Sequence, residues 1–267
     1  MMKYILAGLI VCSSQLSFYA RAQGESIETE IDSLISVYVD RGQFNGSILV
    51  ALDGEKVYHK AWGYADLETK TLLNSQSQYG IASISKIFTS SAIFILEVAG
   101  KLNMDDPLSS YLPELPACFQ PVRIHHFLSH TAGIPKQAGD WRSLVNTDNS
   151  DVMQFLLEQK LFKEVGMDHS FVRSRNQSAN TADPVKTYNH GKQADWPLYR
   201  VGPGGIYSTT EDLFLWDQAF FTYKFFDQST VNRILTPVQV EGKDQHYGLG
   251  WGILHLEGKC YAGHPGE

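Results

Sequence analysis

The chain has 267 residues, with 22 Lys and Arg against 29 Asp and Glu, a formal charge of −7 and 43% hydrophobic residues. That length can bury a sizeable core in one or two domains. An acidic chain without a basic run excludes nucleic acid as a partner. Three cysteines with neither a paired framework nor zinc-ligand spacing exclude a disulfide scaffold and a zinc module.

In chain order, Lys3, the apolar stretch Tyr4 to Val11 and the A-x-A site Ala20-Arg21-Ala22 read as an export leader over residues 1–22. The stretch is too short to span a bilayer and no later run approaches the ~20 apolar residues required, so no transmembrane segment is expected. The mature product is expected in the periplasm or secreted, with Cys118 and Cys260 as two free, buried thiols in preference to a single bridge between them. Ile27, Ile31, Leu34, Ile35 and Tyr38 recur at helical spacing before Gly42. Two strand-like runs follow, Ser47–Leu52 and Lys56–Trp62, joined by Asp53-Gly54, a hairpin signal.

Ser83-Ile84-Ser85-Lys86 is the one place where a serine stands three residues before a lysine. Apolar residues then recur at Ile84, Ile87, Phe88, Ala92, Ile95 and Val98, a helical period ending at Gly100. Ser83 is therefore expected at the first turn of a largely buried helix, with Lys86 on the same face one turn on. A serine hydroxyl becomes a nucleophile when a neighbour takes its proton. A lysine can do so where burial disfavours the ammonium. A helix N-terminus adds backbone donors where an oxyanion develops.

Further on, Val122 to Ser129 reads as a short helix. Asp151 to Gln159 reads as another, with Asp151 as its N-cap, and Ser174 to Asp195 as a polar loop. Gly202-Pro203-Gly204-Gly205 is a turn, and Thr209 or Thr210 caps a helix whose apolar face is Leu213, Trp216 and Phe220. Gln245 to His255 reads as a strand with Gly248, Gly250 and Gly252 on one face, where another backbone can come close. Lys259 to His264 starts its partner. His126 and His130 stand four apart with no carboxylate between, so a packed pair is expected there rather than a metal site. The G-x-S-x-G elbow of a Ser-His-Asp hydrolase is absent, and no helix follows the glycines to make a dinucleotide loop.

Taken together, several blocks resemble the serine β-lactamase-like hydrolases, the group of class C β-lactamases, low-molecular-weight penicillin-binding proteins and related esterases. They are Ile81 to Thr89, Leu102 to Pro107 with Tyr111 to Glu114, Ile124 to Pro135, Gly204 to Thr209, and Tyr247 to Gly252. The resemblance implies an α+β fold, an antiparallel sheet flanked by helices plus a mostly helical subdomain. Residues 23–80 and 205–267 would form the α/β part and 81–204 the helical part, with the site between them. It implies acyl transfer through a covalent acyl-enzyme on a small-molecule or peptide substrate, an amide or ester, with no cofactor and no metal. Ser83 would be the nucleophile and Lys86 its proton partner. His264-Pro265-Gly266 matches the third motif: His264 would orient the substrate and Gly266 would let it lie along the strand. The backbone N–H of Glu267 would be the second oxyanion donor beside that of Ser83.

Two departures stand out. The family's second motif, a tyrosine with asparagine two residues later, is matched by none of the thirteen tyrosines. Tyr188-Asn189-His190 misses by one, and Ser174-Arg175-Asn176 and Ser178-Ala179-Asn180 come in the wrong order. The family's strands and helix after the third motif are also missing, so the chain reads as an internally shortened and C-terminally truncated member. Two functions follow: an exported serine hydrolase, or a catalytically impaired remnant that at most binds. The substrate stays open among a β-lactam, a peptidoglycan stem, a D-amino-acid peptide and an ester.

Overall fold

Helix α1, Ile27–Asp40, begins where the Ser26 side chain accepts the Thr29 N–H, with Glu28 and Glu30 in its first turn. Both features favour a helix start. The computed structural model describes residues 26–134, 150–173, 184–189, 192–193 and 201–266. The leader at 1–22 and Glu267 lie outside them. None of the α1 residues is buried; the helix is moored to the neighbouring hairpin by polar contacts. Tyr58 Oη donates to Asp32 at 2.6 Å, and Lys60 Nζ reaches Asp32 at 2.5 Å and Glu28 at 3.2 Å.

Strands β1, Gly46–Leu52, and β2, Glu55–Trp62, pair antiparallel with a bulge between Val50 and Ala51. Asp53 and Gly54 both adopt positive φ, 51° and 81°, as a type I′ turn requires. Beyond them lie β3, Tyr64–Asp66, and β4, Thr71–Leu72. The short strand β5, Tyr79–Gly80, leads into α2, Ser85–Val98, through a 3-10 turn at Ala82–Ile84. Ile84, Ile87, Phe88 and Ala92 are buried as the period predicts, whereas Val98 is 68% exposed at the helix end. A three-stranded antiparallel sheet then forms, β9, Ile206–Ser208, lying between β5 and β6, Phe171–Val172. Helix α6, Thr210–Phe221, is capped by Thr209, whose side chain accepts the Asp212 N–H. Helix α7 is Gln228–Leu235.

The core is aromatic. Phe88 faces Trp216 with ring centroids 5.0 Å apart, and Phe220 stacks on Trp251 at 4.6 Å. These rings join residues from 81 to 253 in one buried cluster, so the helices and the strands share one core.

The antiparallel strands of the expected fold lie, among the described residues, in small ladders: β1 with β2, and β12, Gly252–Leu256, with β13, Lys259–Gly263. Mixed α+β architecture holds. Several expectations are corrected. Asp151 lies inside the first turn of α4, Ser150–Leu157, rather than capping it. That helix does not stop at Gln159. It passes through a π turn at Glu158–Phe162 into α5, Lys163–Val165, and ends at Gly166 with φ 85°. Glu158 holds the turn by accepting the Val172 N–H at 2.9 Å, and Phe162 packs edge-on to Phe88.

The segment 248–251 is not strand. The Gly248 N–H donates to the Trp251 carbonyl at 2.8 Å while Tyr247 bridges Gly252, so the chain loops before β12 begins. The close approaches expected of the glycines are nevertheless present. A Cβ on Gly248 would stand 2.2 Å from the Ile234 carbonyl oxygen, and one on Gly250 2.5 Å from Ser90 Cβ. Cys118 and Cys260 are free but exposed, not buried.

Candidate active site

The residue before the nucleophile candidate is Ala82, with φ 45°. A side chain in this left-handed region costs roughly 1–2 kcal/mol, and local strain of this kind concentrates at functional sites. The turn is held from both sides. The Ile81 N–H donates to the Ile206 carbonyl at 3.0 Å and the Ile84 N–H to the Ile81 carbonyl at 3.1 Å. The Ser85 N–H bonds back to the Ala82 and Ser83 carbonyls. Ser83 therefore stands where a strand edge becomes a helix, in a first turn whose backbone donors the helix does not consume.

Lys86 follows one turn later, and its Nζ donates to Ser83 Oγ at 2.5 Å. Burial holds the Lys86 ammonium below the ordinary lysine range, which favours the neutral amine. Across the same contact a neutral amine can accept the hydroxyl proton. Behind this pair the helix is clamped. Ser90 Oγ donates to the Leu249 carbonyl at 2.6 Å, Thr89 Oγ1 to the Gly202 carbonyl at 2.7 Å, and the Gly250 N–H to the Leu128 carbonyl at 2.8 Å. Gly250, with φ 88°, lies so close that a Cβ would also come within 3.3 Å of the Lys86 carbonyl oxygen.

Three rings line up beside the pair. His130 lies 5.0 Å from Tyr247, and Tyr247 5.8 Å from His264 at a right angle. His130 has φ 58° and follows Ser129, the C-cap of α3, Ile124–Leu128. It is therefore off the helix and shares no face with His126. His126 instead accepts the Arg123 N–H on Nδ1 at 3.0 Å. Burial, and next the Lys86 charge, lower the His130 pKa, so its neutral imidazole is favoured. Burial pushes the Tyr247 hydroxyl up to about 12, and that hydroxyl has no hydrogen-bond partner among the described residues.

Of the residues expected from sequence, Ser83 and Lys86 meet. His264 joins the ring line, its Nδ1 2.7 Å from the Pro265 carbonyl oxygen. Gly266 is buried, and a Cβ there would stand 2.9 Å from the Ile81 carbonyl oxygen. Glycine at 266 lets the segment after β13 close on the turn that precedes Ser83. Glu267, the two Ser-x-Asn triplets, and the His190 of Tyr188-Asn189-His190 lie outside the described residues. Tyr188 donates to Asp66 at 3.0 Å and accepts the Leu67 N–H at 2.9 Å, anchored to the turn after β3. The sequence singles out His130 only as a partner of His126 and gives Tyr247 no role, so their meeting is not foreseen. Both sat inside blocks that carried the resemblance, but nothing in linear spacing joins residue 130 to 247.

Residues 31–160 match the Beta-lactamase family model. The chain is 27% identical to a penicillin-binding protein of Bacillus subtilis (strain 168), the alignment covering 83% of this chain and 62% of the relative. It is 26% identical to the putative penicillin-binding protein PbpX of the same strain, covering 87% and 68%. The octameric penicillin-binding protein homologue of Pyrococcus abyssi superposes with a TM-score of 0.73 at 21% identity, covering 90% of this chain and 68% of that one. The D-alanine carboxypeptidase AmpC of Burkholderia cenocepacia superposes at 0.65 with 23% identity, covering 83% and 72%. The fold is thus of the β-lactamase/transpeptidase-like class. The chain is thus similar to the β-lactamases over residues 31–160 and to penicillin-binding proteins over most of its length. It spans 62% of the length of the first of these Bacillus relatives.

Proposed function

We propose that the chain is an exported serine hydrolase that acylates itself on Ser83. The observation that carries this reading is the 2.5 Å contact between Lys86 Nζ and Ser83 Oγ at the head of a buried helix. In the proposed step Ser83 Oγ attacks the carbonyl carbon of an amide or ester while neutral Lys86 takes the hydroxyl proton. The carbonyl oxygen gains the negative charge and is met by the Ser83 N–H, with that of Glu267 as second donor. On collapse the carbon–nitrogen or carbon–oxygen bond breaks, and the leaving group takes the proton from Lys86. Water then releases the acyl group, regenerating the hydroxyl. His264 is assigned to orient the substrate at the seam between the α/β part and the helical part, and no cofactor is required. Residues 1–22 direct export and are removed.

One observation favours a second reading, an impaired enzyme that binds or acylates without efficient turnover. The continuous helical run from Ser150 to Val165 occupies the stretch where the family's tyrosine motif is expected. Loss of a proton-transfer group lowers rates by roughly 10²–10⁴-fold. Labelling with a fluorescent penicillin and a fluorophosphonate, followed by hydrolysis of p-nitrophenyl esters, separates the two. An adduct on Ser83 that is absent in Ser83→Ala supports acylation, and turnover beyond one equivalent supports the full hydrolase. An adduct without turnover supports the impaired form. A folded chain with no adduct from either probe overturns acylation on Ser83 and leaves only the binding form of the second reading.

A further inference from the structure

A group of side chains away from the serine has the composition of a metal site. Asp244 ends the two-residue strand β11, Lys243–Asp244, and His246 follows two residues later with φ 53°. His255 lies in β12. The Ile253 N–H donates to the His246 carbonyl at 2.8 Å, and Tyr247 bridges Gly252. This pairing carries His255 alongside Asp244. One ligating atom from each of the three residues lies within 4.8 Å of the others, and all three side chains are exposed. Among the described residues this is the one group of three or more such side chains that meets so closely.

We propose that Asp244, His246 and His255 form a binding site for a divalent transition metal of the zinc type. Two imidazoles and a carboxylate suit zinc, copper or nickel, whereas magnesium and calcium want oxygen donors throughout. Around zinc, ligand bonds of about 2.0–2.2 Å in a tetrahedron place the ligating atoms roughly 3.3–3.6 Å apart. His246 Nδ1 already stands 3.7 Å from Asp244 Oδ1. Because the side chains are exposed, closing the remainder needs only rotation about side-chain bonds, with no core to repack. The carboxylate is already oriented: its Oδ1 accepts the His246 N–H at 2.6 Å, the kind of outer hydrogen bond that positions a metal ligand. Three protein ligands leave a fourth position for water. The bound metal would tie β11 to β12 across Tyr247, whose ring packs on His264.

The test uses the full chain without an affinity tag. Calorimetric titration with zinc chloride should show one equivalent bound, and zinc should raise Tm. His255→Ala and His246→Asn, the latter keeping a residue that tolerates positive φ, should each weaken zinc binding. The loss should be at least the roughly 10- to 100-fold that follows removal of an outer partner of a metal site. Asp244→Asn should do likewise, and the zinc-dependent Tm rise should disappear in all three. Magnesium should give neither effect. Equal Tm values for wild type and variants in chelator show that each variant is folded. Zinc affinity unchanged in the two histidine variants, no binding by the wild type, or an equal response to magnesium would each overturn the site. The outcome does not depend on the chemistry at Ser83.

Discussion

Lys86 could take the Ser83 proton only after losing one that lysine normally keeps. Burial lowers its pKa, so the reactive neutral form grows as pH rises through a value below that of free lysine. Acylation of Ser83 should therefore increase with pH and level off once the amine is neutral, as measured by the rate of fluorophosphonate labelling against pH. Lys86→Ala should slow labelling by roughly 10²–10⁴-fold and remove that pH dependence. Tyr247 gives a stability test. Its buried hydroxyl lacks a partner among the described residues, and an orphaned polar group costs about 1–3 kcal/mol. Tyr247→Phe should therefore leave Tm unchanged or higher in thermal unfolding; a lower Tm would show that the hydroxyl is satisfied.

At the scale of elements, the loop from Gly248 to Trp251 matters because it presses on the nucleophile helix. Alanine at Gly250 would need φ 88° and would put Cβ 2.5 Å from Ser90 Cβ. Overpacking of this kind costs typically 1–3 kcal/mol, and the positive φ adds to it. Gly250→Ala should therefore lower the urea midpoint by that order and also slow labelling of Ser83, since the displaced helix carries Lys86 and continues directly from the turn that holds Ser83. Thr209→Ala, which removes the cap of α6, should cost about 0.5–2 kcal/mol with little change in labelling. The contrast separates a stability effect from a positional one. Elements with local causes were legible: the Asp53-Gly54 hairpin, the Thr209 cap and the 3.6-residue period of α2. The π turn at Glu158–Phe162 was not, because it follows from Glu158 reaching the Val172 N–H and Phe162 reaching Phe88.

For the whole molecule, the shared aromatic core couples the helices to the strands. Trp216 is 1% exposed and touches Phe88, Phe220 and Phe225. Trp216→Ala should cost about 3–5 kcal/mol and collapse Ser83 labelling together with the fold, read as loss of the cooperative unfolding transition. Cys118 and Cys260 should both react with a thiol reagent in the folded chain, since both are exposed. Composition had suggested burial, because cysteine is usually an interior residue, but each here falls on an outward-facing position. No helix among the described residues is long and apolar enough to cross a membrane.

Sequence alone determined what depends on near neighbours along the chain. A serine and a lysine three apart come together where the chain turns into a helix, Asp53-Gly54 favours a hairpin turn, and the ordered blocks resemble a family. Tertiary structure decided what depends on residues far apart meeting: His130, Tyr247 and His264 in one line of rings, Gly266 against Ile81, and Asp244 and His246 beside His255. Helical and strand periods are set by backbone geometry within a few residues. Long-range convergence is set by which faces the core buries and which backbones approach closely, and linear spacing does not record it.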